Sequence, residues 1–279
     1  SSAIMTFIKK FINFKGLIGT SLVVLAVGTA IIAPLVIPLD YATNMDMRAR
    51  LSPPTLDHIF GTDQLGRDLF YRVMLGARTS ISIAVSAVLL SLIIGLPMGL
   101  ISGFFRGTVD NILMRLVDTL LSFPALLLAL TISAVLGPNF INTILAIGIA
   151  FTPYLARLIR GEALRVSQMP YVEAARSAGA NNIRIIVGHI LPNITPVIIV
   201  QFTISLAFAI LAEAGLSFLG LGTQPPEASW GLMIQASRDY LDRAPWTALV
   251  PGIAVAVTVL GLNMFGDVLR DVLDPRSKT

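Results

Sequence analysis

Residues 80–105 read Ser80-Ile-Ser-Ile-Ala-Val-Ser-Ala-Val-Leu-Leu-Ser-Leu-Ile-Ile-Gly-Leu-Pro-Met-Gly-Leu-Ile-Ser-Gly-Phe-Phe105. The run carries no charged side chain and exceeds the roughly 20 residues that a helix needs to cross about 30 Å of hydrocarbon. Five further predominantly apolar stretches predict spans at 17–37, 116–136, 140–159, 194–216 and 247–269. The composition agrees. Of 279 residues 55% are hydrophobic and only 13% are charged, against roughly a quarter charged in soluble domains. With a mean hydropathy of +0.81, no compact water-soluble shape hides so much apolar surface, and the bilayer must be the solvent. Disorder and a collagen-like repeat are excluded. The absence of Cys removes disulfides and thiolate sites, and two His leave little for a zinc centre. The expectation is an all-α polytopic membrane protein with six transmembrane helices.

Topology explains the basic pI near 9.7 better than nucleic acid does. With the N-terminus cytoplasmic, thirteen of the Lys and Arg residues fall inside, from Lys9, Lys10 and Lys15 to Arg276 and Lys278, and seven outside. With loop acids included, the inside segments carry +8 and the outside segments −1. Both termini are therefore expected in the cytoplasm. The first apolar run follows lysines as a secretory signal does, but it is too long for one and is read as a retained helix. With Ser rather than Met at position 1, an N-terminal extension is allowed for.

The organisation expected is a cytoplasmic N-terminus with the first span (1–39), an external segment (40–79), and a five-helix core (80–279). The external segment is turn-rich at Ser52-Pro53-Pro54 and is expected to hold a short helix over 67–77. The core carries a 33-residue cytoplasmic loop at 161–193 and a second external loop at 220–246, helical over 230–241. Gly95, Gly99 and Gly103 recur every fourth residue and bare one face of the second span for close helix packing. Pro97 predicts a kink there. The same glycines are candidates to border a pathway.

Within the cytoplasmic loop, Pro170-Tyr-Val-Glu-Ala-Ala-Arg-Ser-Ala-Gly179 predicts one short helix. Pro170 suits the first turn, Glu173 the positive end of the dipole, and Gly179 a left-handed stop. Tyr171, Ala174, Ala175 and Ala178 share a face, a low alanine-rich surface with one aromatic knob, flanked by Glu173 and Arg176. A second helix with Ile183, Ile186, Val187 and Ile190 on one stripe follows and ends at Leu191-Pro192.

Glu173-Ala174-Ala175, then Gly179, then Leu191-Pro192 resembles the EAA loop of ABC-type importer permeases, which docks a short coupling helix into the ATPase. One departure is His189 where the general pattern often has Ile; the run His189-Ile-Leu-Pro-Asn193 resembles the peptide-importer branch. Three other segments point the same way. They are His58-Ile-Phe-Gly-Thr-Asp-Gln-Leu-Gly-Arg-Asp68 with Gly76-Ala-Arg-Thr-Ser80, then Gly215-Leu-Ser-Phe-Leu-Gly-Leu-Gly222 with Trp230-Gly231, and Gly266-Asp-Val-Leu-Arg-Asp271 with Leu273-Asp-Pro275. Over nearly the whole chain the sequence is similar to the C-type permease subunit of dipeptide, oligopeptide and nickel importers.

This resemblance implies a type I ABC importer permease fold in the bacterial inner membrane. It also implies a homologous B-type permease, two ATPase subunits that bind ATP and Mg, and an extracytoplasmic substrate-binding protein as partners. The chain itself is expected to bind no cofactor, since it has no phosphate loop, no His-Glu-x-x-His and no Gly-x-Ser-x-Gly. It is not expected to be an enzyme. The implied function is passage of peptides or a related small solute into the cytoplasm, with Tyr171, Glu173, Ala174, Ala175, Arg176 and Gly179 docking the ATPase. The alternative is a transporter or channel subunit driven by an ion gradient, which should show charged relays deep in several spans; only Glu213 lies at depth. Glu213 is read as lining the pathway, pairing with a partner, or tying down the following loop. Asp118 and Asp267 are expected at the interface or paired with Arg115 and Arg270. Arg67 and Asp68 are candidates for binding-protein docking, and His58 and His189 are expected to be structural.

Overall fold

In the first helix small side chains face inward and large ones outward, the reverse of a helix in water. The computed structural model describes residues 14–273. Lys9, Lys10, Asp274, Pro275, Arg276 and Lys278, which entered the charge count or the C-terminal motif, lie outside the described residues. In the first helix, α1 (Phe14–Val36), the buried residues are Gly16, Gly19, Ala26, Ala30 and Ala33, while Val24, Leu25 and Ile31 are exposed. Lipid is as apolar as leucine, so the close approach of backbones, not the hiding of large side chains, is what packing gains. The partner of α1 is the last helix, α11 (Trp246–Leu273). Gly19 meets Met264 and Gly261 meets Leu22, each where an added Cβ would stand within 2.8 Å.

After α1 come α2 (Leu39–Thr43), a 3₁₀ turn (Met47–Ala49) and α3 (Leu69–Phe105). The short helix expected over 67–77 is not separate. It is the first part of α3, which Asp68 caps by accepting from the Phe70 amide at 2.8 Å and which runs unbroken through Pro97.

The third expected span, 116–136, is corrected. It is two helices, α4 (Gly107–Leu121) and α5 (Ala125–Leu136), bent by 87° at a break between them. Pro124 lacks an amide hydrogen and disfavours helical backbone at the residue before it, and it sits extended at φ −55°, ψ 133°. Twelve residues make α5 only about 18 Å long, too short to cross by itself. Five helical segments are long and apolar enough to span a membrane, and the bent pair makes up to six.

The chain continues through α6 (Phe140–Ser167), α7 (Pro170–Ser177), α8 (Asn182–Ile185), a π turn (Ile186–Ile190) and α9 (Leu191–Phe218). It then passes through α10 (Trp230–Ser237) and a 3₁₀ turn (Arg238–Tyr240) to α11. Within the stretch expected as a loop, 161–193, α6 runs on to Ser167, and α7 and then α8 with the π turn follow as two helical pieces. The stripe of Ile183, Ile186, Val187 and Ile190 is also corrected: Ile185 and Ile190 are buried while Ile183 and Val187 are exposed. The π turn inserts an extra residue and moves the buried register from a spacing of four to one of five. Apart from an isolated antiparallel bridge between Thr62 and Asp68, no strand occurs among the described residues.

Helix α3 packs most extensively on α6, and the glycine stripe lies in that seam. A Cβ at Gly99 would stand 2.7 Å from the Ala156 carbonyl oxygen, and one at Gly103 would stand 2.6 Å from that of Arg160. Two main apolar cores and a minor cluster of Ala33, Ala42 and Leu75 result among the described residues. The larger joins α1, α3, α5, α6, α9, α10 and α11; the smaller gathers Phe104, Ile159, Val166, Val172, Ile185 and Ile190 at the α7 end.

Candidate functional site

Helix α7 is eight residues long and is closed as its sequence anticipates. Pro170 occupies its first turn. At its exit the Gly179 amide donates to the Arg176 carbonyl at 3.0 Å and the Ala180 amide to the Ala175 carbonyl at 3.1 Å. These are the paired bonds of a Schellman stop, and they require the left-handed backbone that Gly179 adopts at φ +88°. One side chain pins the helix: Val172 is wholly buried in the smaller core. The opposite side is free. Tyr171 is 43% exposed, and Glu173, Ala174 and Ala178 are exposed with Ala175 half-buried. The Arg176 guanidinium lies 5.5 Å over the Phe104 ring and Tyr171 stands 6.4 Å from the His189 ring, so α7 lies sideways against the end of α3 and the π turn before α9. The geometry presents a shallow, mostly uncharged step with Glu173 at its edge.

The opposite, α10 end holds Glu213, which is fully buried. Its carboxylate accepts from Ser80 Oγ at 3.1 Å and from Ser217 Oγ at 2.7 Å. The same hydroxyls accept amides of the following loop, Trp230 N to Ser80 at 3.1 Å and Thr223 N to Ser217 at 3.1 Å. Trp230 Nε1 donates to the Val73 carbonyl at 2.9 Å. Of the three readings of Glu213, the geometry is that of a residue tying down the loop: α3, α9 and α10 meet on one carboxylate.

Arg67 and Asp68, the candidates for binding-protein docking, are both paired within the chain. Arg67 Nε bonds Asp63 Oδ2 at 2.7 Å, and Arg72 Nε approaches the same oxygen at 3.6 Å. Arg72 also donates to the Ala42 carbonyl at 3.2 Å, which fastens the segment before α3 to the helix. Asp68 is held by its capping bond and by His58 Nδ1 at 2.8 Å. Neither residue offers a free charge to a docking partner. The pairings expected for the span acids also change: Asp118 pairs with Arg157, not Arg115. Asp110 makes a bidentate pair with Arg160, both bonds at 2.6 Å, and also bonds Ser102. Two ion pairs therefore strap α4 to α6. Asp267 is exposed.

Gly95, Gly99 and Gly103 are buried against α6 and none lines the cavity of about 520 Å³ that opens between α5, α6 and α9. Its wall includes Tyr154, Gln201, Ser205 and Phe208, residues that the sequence reading passed over. A signal was available. Gln201 and Ser205 are polar, one helical turn apart, inside an apolar run.

Residues 95–279 match the family described as binding-protein-dependent transport system inner membrane component. The chain is 42% identical over 267 residues to a dipeptide transport system permease protein of Alkalihalophilus pseudofirmus, covering 96% of this chain and 88% of the relative. It is also 42% identical over 283 residues to a di/tripeptide transport system permease protein of Pseudomonas aeruginosa, covering 99% and 93%. Among solved structures, an inward-facing conformation of the MetNI methionine ABC transporter superposes with a TM-score of 0.60 at 17% identity, covering 73% of this chain and 97% of that one. At that identity the likeness establishes the fold alone. Such permeases are not catalytic and work with a separate ATPase, so the gradient-driven alternative is not carried forward. The chain therefore belongs to the family of binding-protein-dependent transport system inner membrane components, as a permease subunit of ABC importers.

Proposed function

We propose that this chain is the C-type half of a two-permease importer for di- or oligopeptides, with both termini in the cytoplasm and α7 seated in one of two ATPase subunits. The observation that carries the reading is α7, a rigidly closed helix held by one buried valine with its other face open. An isolated surface helix of eight residues is marginal in water, so its fixed closure and its contacts with α3 and the π turn before α9 favour a role that requires a defined shape. The relatives' descriptions name dipeptides and di/tripeptides as their cargo, which supports peptides here.

In this mechanism ATP and Mg²⁺ bind on the ATPase subunits and supply the energy there, and the chain's own residues transmit it. Tyr171, Ala174 and Ala175 fill a groove on the ATPase, Glu173 presents a negative charge at its edge, and Gly179 keeps the exit turn in place. Closure of the ATPases displaces α7. Through Val172 the displacement enters the smaller core and shifts the bundle between inward- and outward-facing packings. A substrate-binding protein delivers peptide from the other side.

The test is reconstitution of the whole importer with Glu173→Lys and, separately, Gly179→Pro. Peptide-dependent ATP hydrolysis and uptake should fall at least about tenfold in each, as loss of about 1.4 kcal/mol of docking would produce, with the chain still inserted in the membrane. Normal uptake in both variants overturns the docking assignment.

A further inference from the structure

Gln201 and Ser205 lie near the middle of α9, and Gln201 Nε2 donates to Ser205 Oγ at 3.3 Å. Tyr154 lies near the middle of α6. All three face the cavity between α5, α6 and α9, whose remaining wall is apolar, with Leu126, Phe208 and Leu211 among it. A primary amide and a phenol halfway through a bilayer are costly against lipid and belong where they meet protein or a water-filled space. The exposed side of α3 differs: Leu89, Ile93 and Ile94 are exposed there, with no polar group beyond a hydroxyl in the run. The two exposed surfaces thus have different neighbours, hydrocarbon at α3 and something with hydrogen-bonding capacity at α9.

The cavity's volume of about 520 Å³ is within the roughly 300–1,000 Å³ of small-molecule sites, and a mostly apolar wall with a few polar groups is their usual chemistry. A glutamine side chain carries a carbonyl and an NH₂, the complement of the C=O and N–H that every peptide possesses whatever its side chains. No charged side chain lines the space, so nothing in it selects for charge.

We propose that this cavity is the chain's wall of a mid-membrane vestibule for small peptides, in which Gln201 and Tyr154 bond the peptide backbone and Leu126, Phe208 and Leu211 accept side chains of any kind. The inference rests on the peptide-importer reading above. The second wall comes from the other permease, since Tyr154, Phe208 and Leu211 remain exposed in this chain.

Because the chain contains no cysteine, a single substitution gives it one thiol. In the assembled importer in lipid, Gln201→Cys and Ser205→Cys should react with a charged, water-soluble methanethiosulfonate at least about tenfold faster than Ile93→Cys, since the thiolate that reacts exists only where water reaches it. Loaded dipeptide-binding protein with a non-hydrolysable ATP analogue should slow the reaction at 201 and 205 only. Equal rates at the three positions overturn the vestibule. Gln201→Leu, a substitution that suits a membrane helix, should raise the KM for a dipeptide about fivefold to tenfold, the loss of one or two hydrogen bonds. Gln201→Asn, which keeps the amide, should recover part of the difference. An unchanged KM in Gln201→Leu overturns the role of the amide. A wild-type complex that moves no dipeptide at all, while its thiol variants still label as expected, defeats the cargo assignment and not the water-filled cavity.

Discussion

At the α10 end of the bundle four charged side chains turn inward, Asp63 to Arg67 and Arg72 and Glu213 to two serines, among others such as Asp57, Asp239 and Asp242 that stay exposed. On α7 the charge of Glu173 and the knob of Tyr171 turn outward, and the one side chain of that helix that is buried is Val172. A buried polar network is costly to leave half-satisfied, so it holds its neighbours in one arrangement. An apolar peg fixes position while leaving the exposed face free for a partner. We expect the Asp63 and Glu213 networks to keep shape and the open face of α7 to make contact, so substitutions in the two should separate stability from coupling.

The sharpest separation is expected from Asp63→Ala. It leaves two arginines buried without their carboxylate, and loss of one member of a buried pair costs about 3–5 kcal/mol. Thermal unfolding of the purified complex should show it, and a melting temperature within a degree of wild type would break the comparison. Glu213→Ala comes next at roughly 2–3 kcal/mol, because the serine hydroxyls that lose an acceptor still hold the loop amides. Hydrogen exchange over residues 217–231 should rise with the loss. Val172→Ala should cost about 1–2 kcal/mol through the buried methyl groups it removes, and the effect should be confined to proteolysis of 168–190. Glu173→Lys should leave the melting temperature unchanged while uptake is lost. A fall in melting temperature as large as that of Asp63→Ala would show that the α7 end also keeps shape.

The spans at 17–37, 80–105, 140–159, 194–216 and 247–269 were legible because a lipid-spanning helix satisfies its own backbone, so its signal is local. The break at Ser122–Pro124 was not. Hydropathy averages over 116–136 and hides a change of pattern from amphipathic α4, with Asp110, Arg115 and Asp118, to wholly apolar α5. Proline alone gives no warning, since Pro97, Pro153 and Pro251 all sit inside continuous helices. The outline of α7 was legible down to its glycine, since caps and stops are written within a few residues. Partners across the fold were not. Asp118 has Arg115 one turn away in sequence, but its ion pair is with Arg157 on another helix. The inward pairing of Arg67 was not legible either, because nothing in a charge pattern tells whether a second carboxylate, here Asp63, comes round to meet it.

The glycine seam between α3 and α6 limits how the two helices move against each other. With backbone this close at Gly99 and Gly103, a slide of less than one turn brings bulkier flanking residues of α3, Leu96 and Leu100, towards the positions the glycines vacate. The next register that offers a bare backbone is four residues away, about 6 Å along the axis. If α7 docks the ATPase as proposed, smaller displacements from it would carry both helices together as one strut, about 55 Å long on the α3 side. The seam is then a ratchet with a single engaged tooth, and a nudge at one face of the membrane arrives undiminished at the other.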